Sequence, residues 1–310
     1  MMKLVKYILL FASSLSLVGC FEKGSLNRWI DNPTANEIKL KIDNTELTIP
    51  ARSGVDYEFD FGKHTLTYNN ETLTFVVKPA KLGTTSFINP TQSNYFVRSI
   101  ILAAPNTNNE EYEKVARKEL RNIPVIIDGV RREFTLPAKL INDVIIDRYD
   151  NNWDYSFDEE LPKEEADLSK NTTNFEIKRK LYRQNDYLKY LLGDEVRDKD
   201  EFIFPYEPQK FEKIKKYSFA KINLNEITCE PGREYMKNLL DNWEHLFTLK
   251  GGDFASSYNK LVSDDENHKN NESEKLCTQE NDPNKTYHKN LTKFLKSIND
   301  VRDVHLYVIN

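Results

Sequence analysis

The sequence predicts an α+β protein in which an N-terminal all-β region with sandwich-like domains precedes a mixed α+β domain. Two observations lead to this class. Between about residues 29 and 104, apolar side chains alternate with polar ones in short runs separated by turn residues, which is typical of antiparallel β-sandwiches. From about residue 172 onward, several apolar runs have helical spacing instead, with short strand-like runs between them.

Composition excludes several classes of protein. The chain has 310 residues, which favours about two domains, and its 12% aromatic content is too high for a disordered chain of mean hydropathy −0.67. A net charge of −5 over 44 basic and 49 acidic residues provides no basic field for nucleic acid. No apolar run of the sequence reaches the roughly 18 residues of a membrane-spanning helix, which excludes a polytopic membrane protein.

Residues 1 to 19 have the organisation of a secretory signal peptide. A basic start with Lys3 and Lys6 precedes an apolar stretch that ends on Leu17-Val18-Gly19-Cys20. This ending resembles the lipobox of bacterial lipoproteins. The resemblance implies cleavage before Cys20 and acylation of that residue, which makes the lipid bilayer a partner through three acyl chains. The alternative is an ordinary cleaved signal, or a short buried helix, in which Cys20 has no role.

The residues after Cys20 bear on localisation. In lipoproteins of this type, Asp directly after the cysteine resembles the signal for retention in the inner membrane, whereas this chain has Phe21 and then Glu22. The resemblance therefore implies a lipid-anchored protein of the outer membrane that faces the periplasm. Residues 20 to 28 are expected to form a short polar tether.

Two further cysteines, Cys229 and Cys277, remain in the exported chain. Thiols in an oxidising compartment usually pair, and neither cysteine has the CxxC spacing of a redox or zinc site. The sequence therefore predicts a disulfide between them, which would close a loop of about 50 residues. Two buried free thiols are the alternative.

Residues 29 to 104 are predicted to form the first β domain. Within it, Ile42-Asp43-Asn44, Pro50 and Gly62-Lys63-His64 occupy the positions of a hairpin and two strand starts. These positions resemble the PEGA-type sandwich modules of bacterial envelope proteins, within residues 42 to 77. The resemblance implies a binding or spacer role rather than catalysis. His64 is expected to be a packing or turn residue.

Residues 105 to 171 are predicted to hold a second β unit and an acidic linker. Ile127-Asp128-Gly129 and the residues after it resemble Ile42-Asp43-Asn44 and the residues after that. This similarity fits either an internal duplication or the turn pattern that hairpins have in common. A charged helix is expected before this echo, at residues 109 to 121. Between residues 143 and 167 acids outnumber bases, but their spacing fits no EF-hand loop, so a solvated linker is favoured over a calcium site.

Residues 172 to 310 are predicted to form the α+β domain. Helices are expected at 187–192, 231–246, 254–262 and 286–298, and strands at 202–204, 217–224 and 304–309. Gly251 and Gly252 are expected to break the chain before the third helix. The acidic, Asn-rich residues 263 to 273 are expected to form a mobile loop.

No motif in the sequence identifies a reaction. The GxSxG, HExxH, Walker A and GxGxxG patterns do not occur, and Asp241 with His245 on one helix face is better explained by surface electrostatics than by metal binding. The sequence therefore predicts no catalytic residue, no metal ligand and no cofactor, and the protein is not expected to be an enzyme.

The favoured function is that of a membrane-anchored envelope lipoprotein that binds a protein or glycan partner, or serves as a structural module, without catalysis. A stress or immunity factor is one version of this function. The alternative is a periplasmic hydrolase that acts on a cell-wall or envelope substrate. Carboxylates are plentiful enough for an acid pair, although no spacing singles one out.

Overall fold

The computed structural model describes residues 24–80, 85–103, 107–161, 174–193, 202–271, 275 and 277–310, with the side chains of 264–271 excepted. Its chain is all β up to Ala103 and mixed α+β toward the C-terminus, which confirms the predicted fold class. The strands are β1 (Ser25–Asn32), β2 (Ile38–Ile42), β3 (Thr45–Ile49), β4 (Ser53–Asp60), β5 (Gly62–Tyr68), β6 (Glu71–Val77), β7 (Ser86–Ile88), β8 (Tyr95–Ala103), β9 (Arg121–Ile127), β10 (Val130–Leu136), β11 (Ala138–Ile141), β12 (Ile145–Asp147), β13 (Phe175–Arg183), β14 (Phe202–Ile203) and β15 (Leu306–Ile309).

The helices with defined bounds are α1 (Asn109–Glu119), α2 (Arg148–Asn151), α3 (Gln184–Leu192), α4 (Glu230–Leu246), α5 (Gly251–Asn271) and α6 (Thr286–Asn299). α4 begins with a proline in its first turn and buries one apolar face. α6 buries a comparable face, and its first amides bond to Asp282. Both helices lie where the sequence predicts them.

The described strands pair into sheets of three to five strands. The strand orders are β12-β7-β1-β4, β15-β6-β5-β2-β3, β11-β8-β13 and β10-β9-β14. The two echoed motifs both form hairpins, with Asp43 at φ 51° and Asp128 at φ 50° in the left-handed region that turns require. These hairpins, β2–β3 and β9–β10, belong to different sheets.

The main hydrophobic core joins the N-terminal sheets to the C-terminal helices. Ile30 of β1, Phe75 of β6, Trp243 of α4 and Phe294 of α6 are all at most 3% exposed within it. A smaller core lies beneath α3 and the β9–β10 hairpin, and a third, rich in aromatic residues, lies against β7 and β8. The last of these supports the candidate site.

Strand pairing joins two segments that were predicted to form separate domains, residues 29–104 and 172–310. β15, close to the C-terminus, pairs with β6 of the first β segment from Leu306 to Ile309. β13 pairs with β8 along nine residues. The segments 29–104 and 172–310 therefore share two sheets and a core, because each supplies strand edges and apolar faces that the other covers.

Several elements differ from the sequence-based expectations. β1 begins at Ser25, within the expected tether, because it pairs with β4 along its whole length. Residues 217–224 form a single bridge at Tyr217 rather than a strand. Gly251 begins α5 instead of breaking the chain, and α5 continues through Asn271 across the expected mobile loop.

The expected acidic linker also differs. Instead of a solvated segment, residues 145–153 include β12, α2 and the buried Trp153. β12 pairs with β7, so its apolar residues fill the aromatic core although acids surround them in sequence. Further along, Tyr155 makes only an isolated bridge to Lys180.

Candidate functional site

One face of the four-stranded sheet carries a row of four side chains, one from each strand. Trp29 of β1 lies opposite Phe87 of β7 on one side and Asp56 of β4 on the other. Phe87 in turn lies opposite Ile146 of β12. Paired residues share a face of the sheet, so the register alone places an apolar floor beside a carboxylate.

A cleft of about 410 Å³ opens over this row, and we call it the aromatic cleft. Phe87 and Trp153 are buried beneath it, whereas Trp29 and Phe157 stay partly exposed on its walls. Its full lining comprises Asn27, Arg28, Trp29, Asp56, Thr85, Ser86, Phe87, Trp153, Ser156, Phe157, Asp158 and Arg183. Two cations and two carboxylates therefore surround exposed aromatic surface, which is the composition of a specific ligand pocket.

A fully buried carboxylate, Asp31, holds the walls of the aromatic cleft in place. Its Oδ1 accepts a hydrogen bond from Trp29 Nε1 at 2.7 Å, and its Oδ2 accepts one from the Tyr95 hydroxyl at 2.5 Å. Arg183 donates to both oxygens, from Nη2 at 2.5 Å and from Nε at 2.9 Å. A bidentate pair of this kind fixes the orientation of the guanidinium as well as its position.

The hydroxyl group of Tyr95 stays protonated in this network. Burial raises the pKa of Tyr95 well above its ordinary value, and the charge of Asp31 and the hydrogen bond to it raise it further. Tyr95 therefore remains a donor to Asp31 at physiological pH. The four hydrogen bonds that the Asp31 carboxylate accepts fix the positions of Trp29, Tyr95 and Arg183.

Gly54 makes room for the indole of Trp29. A Cβ at residue 54 would lie 2.3 to 2.6 Å from three atoms of that ring, closer than any real contact. Gly54 is the partner of Asp31 in the β1–β4 register, so the indole crosses over it toward the neighbouring strand. The indole of Trp29 can occupy this position only because residue 54 has no side chain.

Arg183 also forms the boundary to a second opening of about 530 Å³, which we call the polar cleft. On the aromatic side its guanidinium stacks on Phe157, with the carbon 4.2 Å from the ring centroid. The polar cleft is lined by Pro33, Thr34, Ala35, Arg52, Thr91, Gln92, Ser93, Asn94, Arg183, Gln184, Asn185, Asp186, Leu188, Lys189, Phe202, Tyr206 and Pro208. Arg183 therefore contacts both clefts.

A third opening of about 440 Å³ contains Asp143, Asp147 and Asp150, and we call it the carboxylate cleft. Burial raises the pKa of Asp147 to about 6, against the hydrogen bond that its carboxylate accepts from the Tyr149 amide. Burial also raises the pKa of Asp143, and the charge of Asp150 adds to both shifts. This cleft is the place where the described residues bring weakly acidic carboxyl groups together.

Of the three cysteines predicted to have a role, the structure describes two. Cys20, residues 1–19 and the first part of the tether lie outside the described residues. The sulfur atoms of Cys229 and Cys277 lie at disulfide distance, with their Cα atoms 5.8 Å apart.

The two histidine candidates lie away from the clefts. His64 is buried, and its ring nitrogens contact Asp43 Oδ2 and the Asp60 carbonyl oxygen, each at 2.7 Å. Asp241 and His245 are exposed on α4, where Asp241 contacts Lys237 and His245 contacts Thr248. Both ring nitrogens of His64 are therefore engaged by acceptors within the protein.

The described side chains include no group of three or more His, Cys, Asp or Glu residues arranged to hold a metal ion. Within the described ranges, no helix has both the length and the apolar character needed to cross a membrane. Comparisons of the chain with models of known protein families, with curated proteins and with solved structures yield no match. Inferences about function therefore depend on the clefts themselves.

Sequence reasoning missed Trp29, Asp31 and Arg183 as site residues. One signal was present, because Asp31 directly follows the apolar pair Trp29-Ile30, and an aspartate that is buried with such a strand needs a polar partner. The partner could not be read from the sequence, since Arg183 lies 152 positions away.

Proposed function

We propose that this protein is a lipid-anchored envelope protein that binds a glycan in the aromatic cleft without cleaving it. The observation that carries the proposal is the partly exposed aromatic pair, Trp29 and Phe157, surrounded by Arg28, Arg183, Asp56 and Asp158 in one opening. A sugar ring has apolar C–H faces and a rim of hydroxyl groups. Aromatic planes beside charged hydrogen-bonding groups complement both features.

The Asp31 network supports binding rather than chemistry. It fixes Trp29 and Arg183 in position before a ligand arrives, which lowers the entropic cost of association. Its carboxylate accepts four hydrogen bonds, and its tyrosine stays protonated because burial and Asp31 raise the pKa of the phenol. The network therefore keeps Trp29 and Arg183 in fixed positions for a ligand.

Anchoring at Cys20 would place the aromatic cleft near the bilayer. Five residue steps separate Cys20 from Ser25, the start of β1, so the two Cα atoms lie within about 18 Å of each other. Trp29 lies about 13 Å further along the strand. A glycan of the envelope would then be bound within about 30 Å of the lipid surface.

A glycan array tests the binding proposal. The full-length protein, purified in detergent, is applied to an array of neutral, amino-sugar and uronic-acid oligosaccharides. We expect selective binding, and we expect Phe157→Ala to weaken it by about two- to tenfold, since an aromatic contact contributes about 0.5–1.5 kcal/mol.

Tyr112→Ala is the matched control for this array. Tyr112 is an aromatic residue on α1 that is 41% exposed and contributes to none of the three clefts described above. Its variant should bind as the wild type does. Absence of binding to every glycan, or equal weakening by both variants, would contradict the proposal.

The carboxylate cleft supports a second candidate function, a hydrolase. Weakly acidic groups such as Asp147 are suited to general acid catalysis, and Asp143 shares its cleft. Asp147 also caps α2, so Asp143→Asn is the cleaner test. A hydrolase would release new reducing ends from the glycan selected on the array and lose that activity in Asp143→Asn. The binding proposal expects no reducing ends from either protein.

A further inference from the structure

We infer that the aromatic cleft selects glycan units that carry a free, protonated amino group. The ligand class is therefore an amino-sugar chain rather than an N-acetylated or acidic one. This inference rests on the proposed function and specifies its substrate class. It depends on the charge of Arg183, which is already compensated, on the direction of the Arg28 side chain and on a carboxylate beside each aromatic wall.

The charge of Arg183 is compensated inside the protein. Both oxygens of Asp31 accept hydrogen bonds from its guanidinium, and Asp31 is itself fully buried. The guanidinium carbon also lies 4.2 Å from the centroid of the Phe157 ring. Because the two charges of this bidentate pair are opposite, the pair adds no net positive charge to the aromatic cleft.

Arg28 lines the aromatic cleft, but its guanidinium is directed to the other face of the sheet. Neighbouring residues of a strand project to opposite faces, so the side chains of Arg28 and Trp29 do not share one. Arg28 Nε donates to Ser86 Oγ at 3.1 Å, and Ser86 lies opposite Asp147 in the strand register. Burial lowers the pKa of Arg28 to about 10, whereas the charge of Asp147 raises it. The positive charge of Arg28 is therefore placed toward Asp147 and away from the indole.

Each aromatic wall of the cleft has its own carboxylate. Asp56 of β4 lies directly opposite Trp29 in the strand register, and Asp158 follows Phe157 in the sequence. Both aspartates are exposed and line the cleft. Within the described part of the chain, neither carboxylate has a hydrogen bond or an ion pair. They are therefore the charges that a ligand in this cleft meets.

The charges behind the Phe157 wall do not offset these carboxylates. Lys180 is buried there, and its Nζ donates to the Ser156 carbonyl oxygen at 2.8 Å. Burial lowers the pKa of this lysine, and the charges of four acids raise it, namely those of Glu159, Asp158, Asp186 and Glu160. One cation is thus shared among four carboxylates, so the margin of the cleft stays negative.

An ammonium group on a sugar ring complements this arrangement. A cation is attracted to the π face of an aromatic ring, most strongly to that of tryptophan, and a carboxylate beside the ring adds a charge-assisted hydrogen bond. The C–H faces of the same sugar can still pack on Trp29 or Phe157. N-acetylation would remove the positive charge. A uronic acid would bring a second negative charge close to Asp56 or Asp158.

Matched pairs of ligands test the inference. Each amino-sugar oligosaccharide on the array is accompanied by its N-acetylated form, and binding is measured at about pH 6, where such amines are protonated. We expect the full-length protein to bind the free amine about three- to tenfold more tightly, because exposed ion pairs and cation–π contacts are each of modest strength. Uronic-acid chains should bind least. In Asp56→Asn/Asp158→Asn, the ratio of the two affinities should fall close to one.

Glu133→Gln/Glu244→Gln, which removes two exposed carboxylates from β10 and α4, is the charge-matched control and should keep the preference. Equal binding of both members of each pair by the wild type, or tighter binding of uronic-acid chains, would overturn the amine selectivity and leave glycan binding intact. A preference retained by the Asp56/Asp158 variant, with its fold confirmed by circular dichroism, would also overturn it. Binding to no member of any pair would overturn the proposed function itself.

Discussion

At the scale of single residues, Gly54 is the position where the aromatic cleft tolerates the least added volume. In Gly54→Ala the new Cβ would overlap the indole of Trp29, so the ring must leave its seat and its hydrogen bond to Asp31. We expect weaker glycan binding and an altered tryptophan emission spectrum in this variant. Ser53→Ala, one position away on β4, is the control. An unchanged emission spectrum and affinity in Gly54→Ala would contradict the described seat of Trp29.

His305 is expected to make folding sensitive to acid. Burial lowers its pKa from 6.5 to about 4, and the charge of Arg28 adds to the shift. As the pH falls from about 6.5 to 4, the unfolded chain takes up a proton at this histidine that the folded chain does not, so folding stability falls. His305→Gln removes this contribution.

The free energy of unfolding of wild type and His305→Gln, measured in urea at several pH values, checks the prediction. We expect the variant to lose less stability than the wild type between pH 6.5 and 4.5. The raised pKa of Asp147 has the opposite sign, but it acts in both proteins and cancels in the comparison. Parallel pH curves for the two proteins would show that His305 does not contribute.

At the scale of elements, the Cys229–Cys277 pair joins the start of α4 to the chain that precedes α6. Its sequence separation of 48 residues is long enough for a disulfide to restrict the unfolded chain substantially. We expect reduction to lower the free energy of unfolding by about 2–4 kcal/mol. The double variant Cys229→Ser/Cys277→Ser should show no response to reductant. Labelling of two thiols in the unfolded, unreduced protein would contradict the pairing.

Elements with local signals were predictable from the sequence, and the pairing of distant strands was not. The hairpin turns at Asp43 and Asp128 follow from their turn residues, and α4 and α6 follow from their apolar spacing. By contrast, the sequence predicted the strand at 304–309 but not its partner, because β15 pairs with a strand more than 200 positions away, which no local pattern specifies. The same reason explains why residues 217–224 were wrongly predicted as a strand.

The candidate site was less predictable than the fold for the same physical reason. The aromatic cleft depends on the register of β1 with β4 and β7, and on an ion pair between Asp31 and Arg183. Composition suggested a surface with aromatic and acidic groups, but register decides which of them meet. The pairing of Cys229 with Cys277 could be predicted from the sequence, because the prediction depends on the compartment and the number of cysteines and not on strand register.

At the scale of the whole molecule, the proposed anchor determines where the clefts operate. The Leu17-Val18-Gly19-Cys20 motif predicts that Cys20→Ala leaves an unprocessed precursor without acyl chains. Radiolabelled palmitate should enter the wild type and not this variant. Fractionation of cells should recover the wild type with the outer membrane. Equal palmitate incorporation would contradict acylation at Cys20, and recovery with inner-membrane vesicles would contradict the sorting inferred from Phe21.

The central claim, that a glycan binds against Trp29, is tested most directly by tryptophan fluorescence. The chain has three tryptophans, of which Trp153 and Trp243 are each 3% exposed and Trp29 is partly exposed in the aromatic cleft. Titration with the glycan selected on the array should change the emission of the wild type. In Trp29→Phe, which keeps an aromatic surface, calorimetry should still detect binding while most of the emission change disappears, because Trp153 of the same cleft is buried. Binding that leaves wild-type emission unchanged, or an emission change of wild-type size in Trp29→Phe, would contradict the claim.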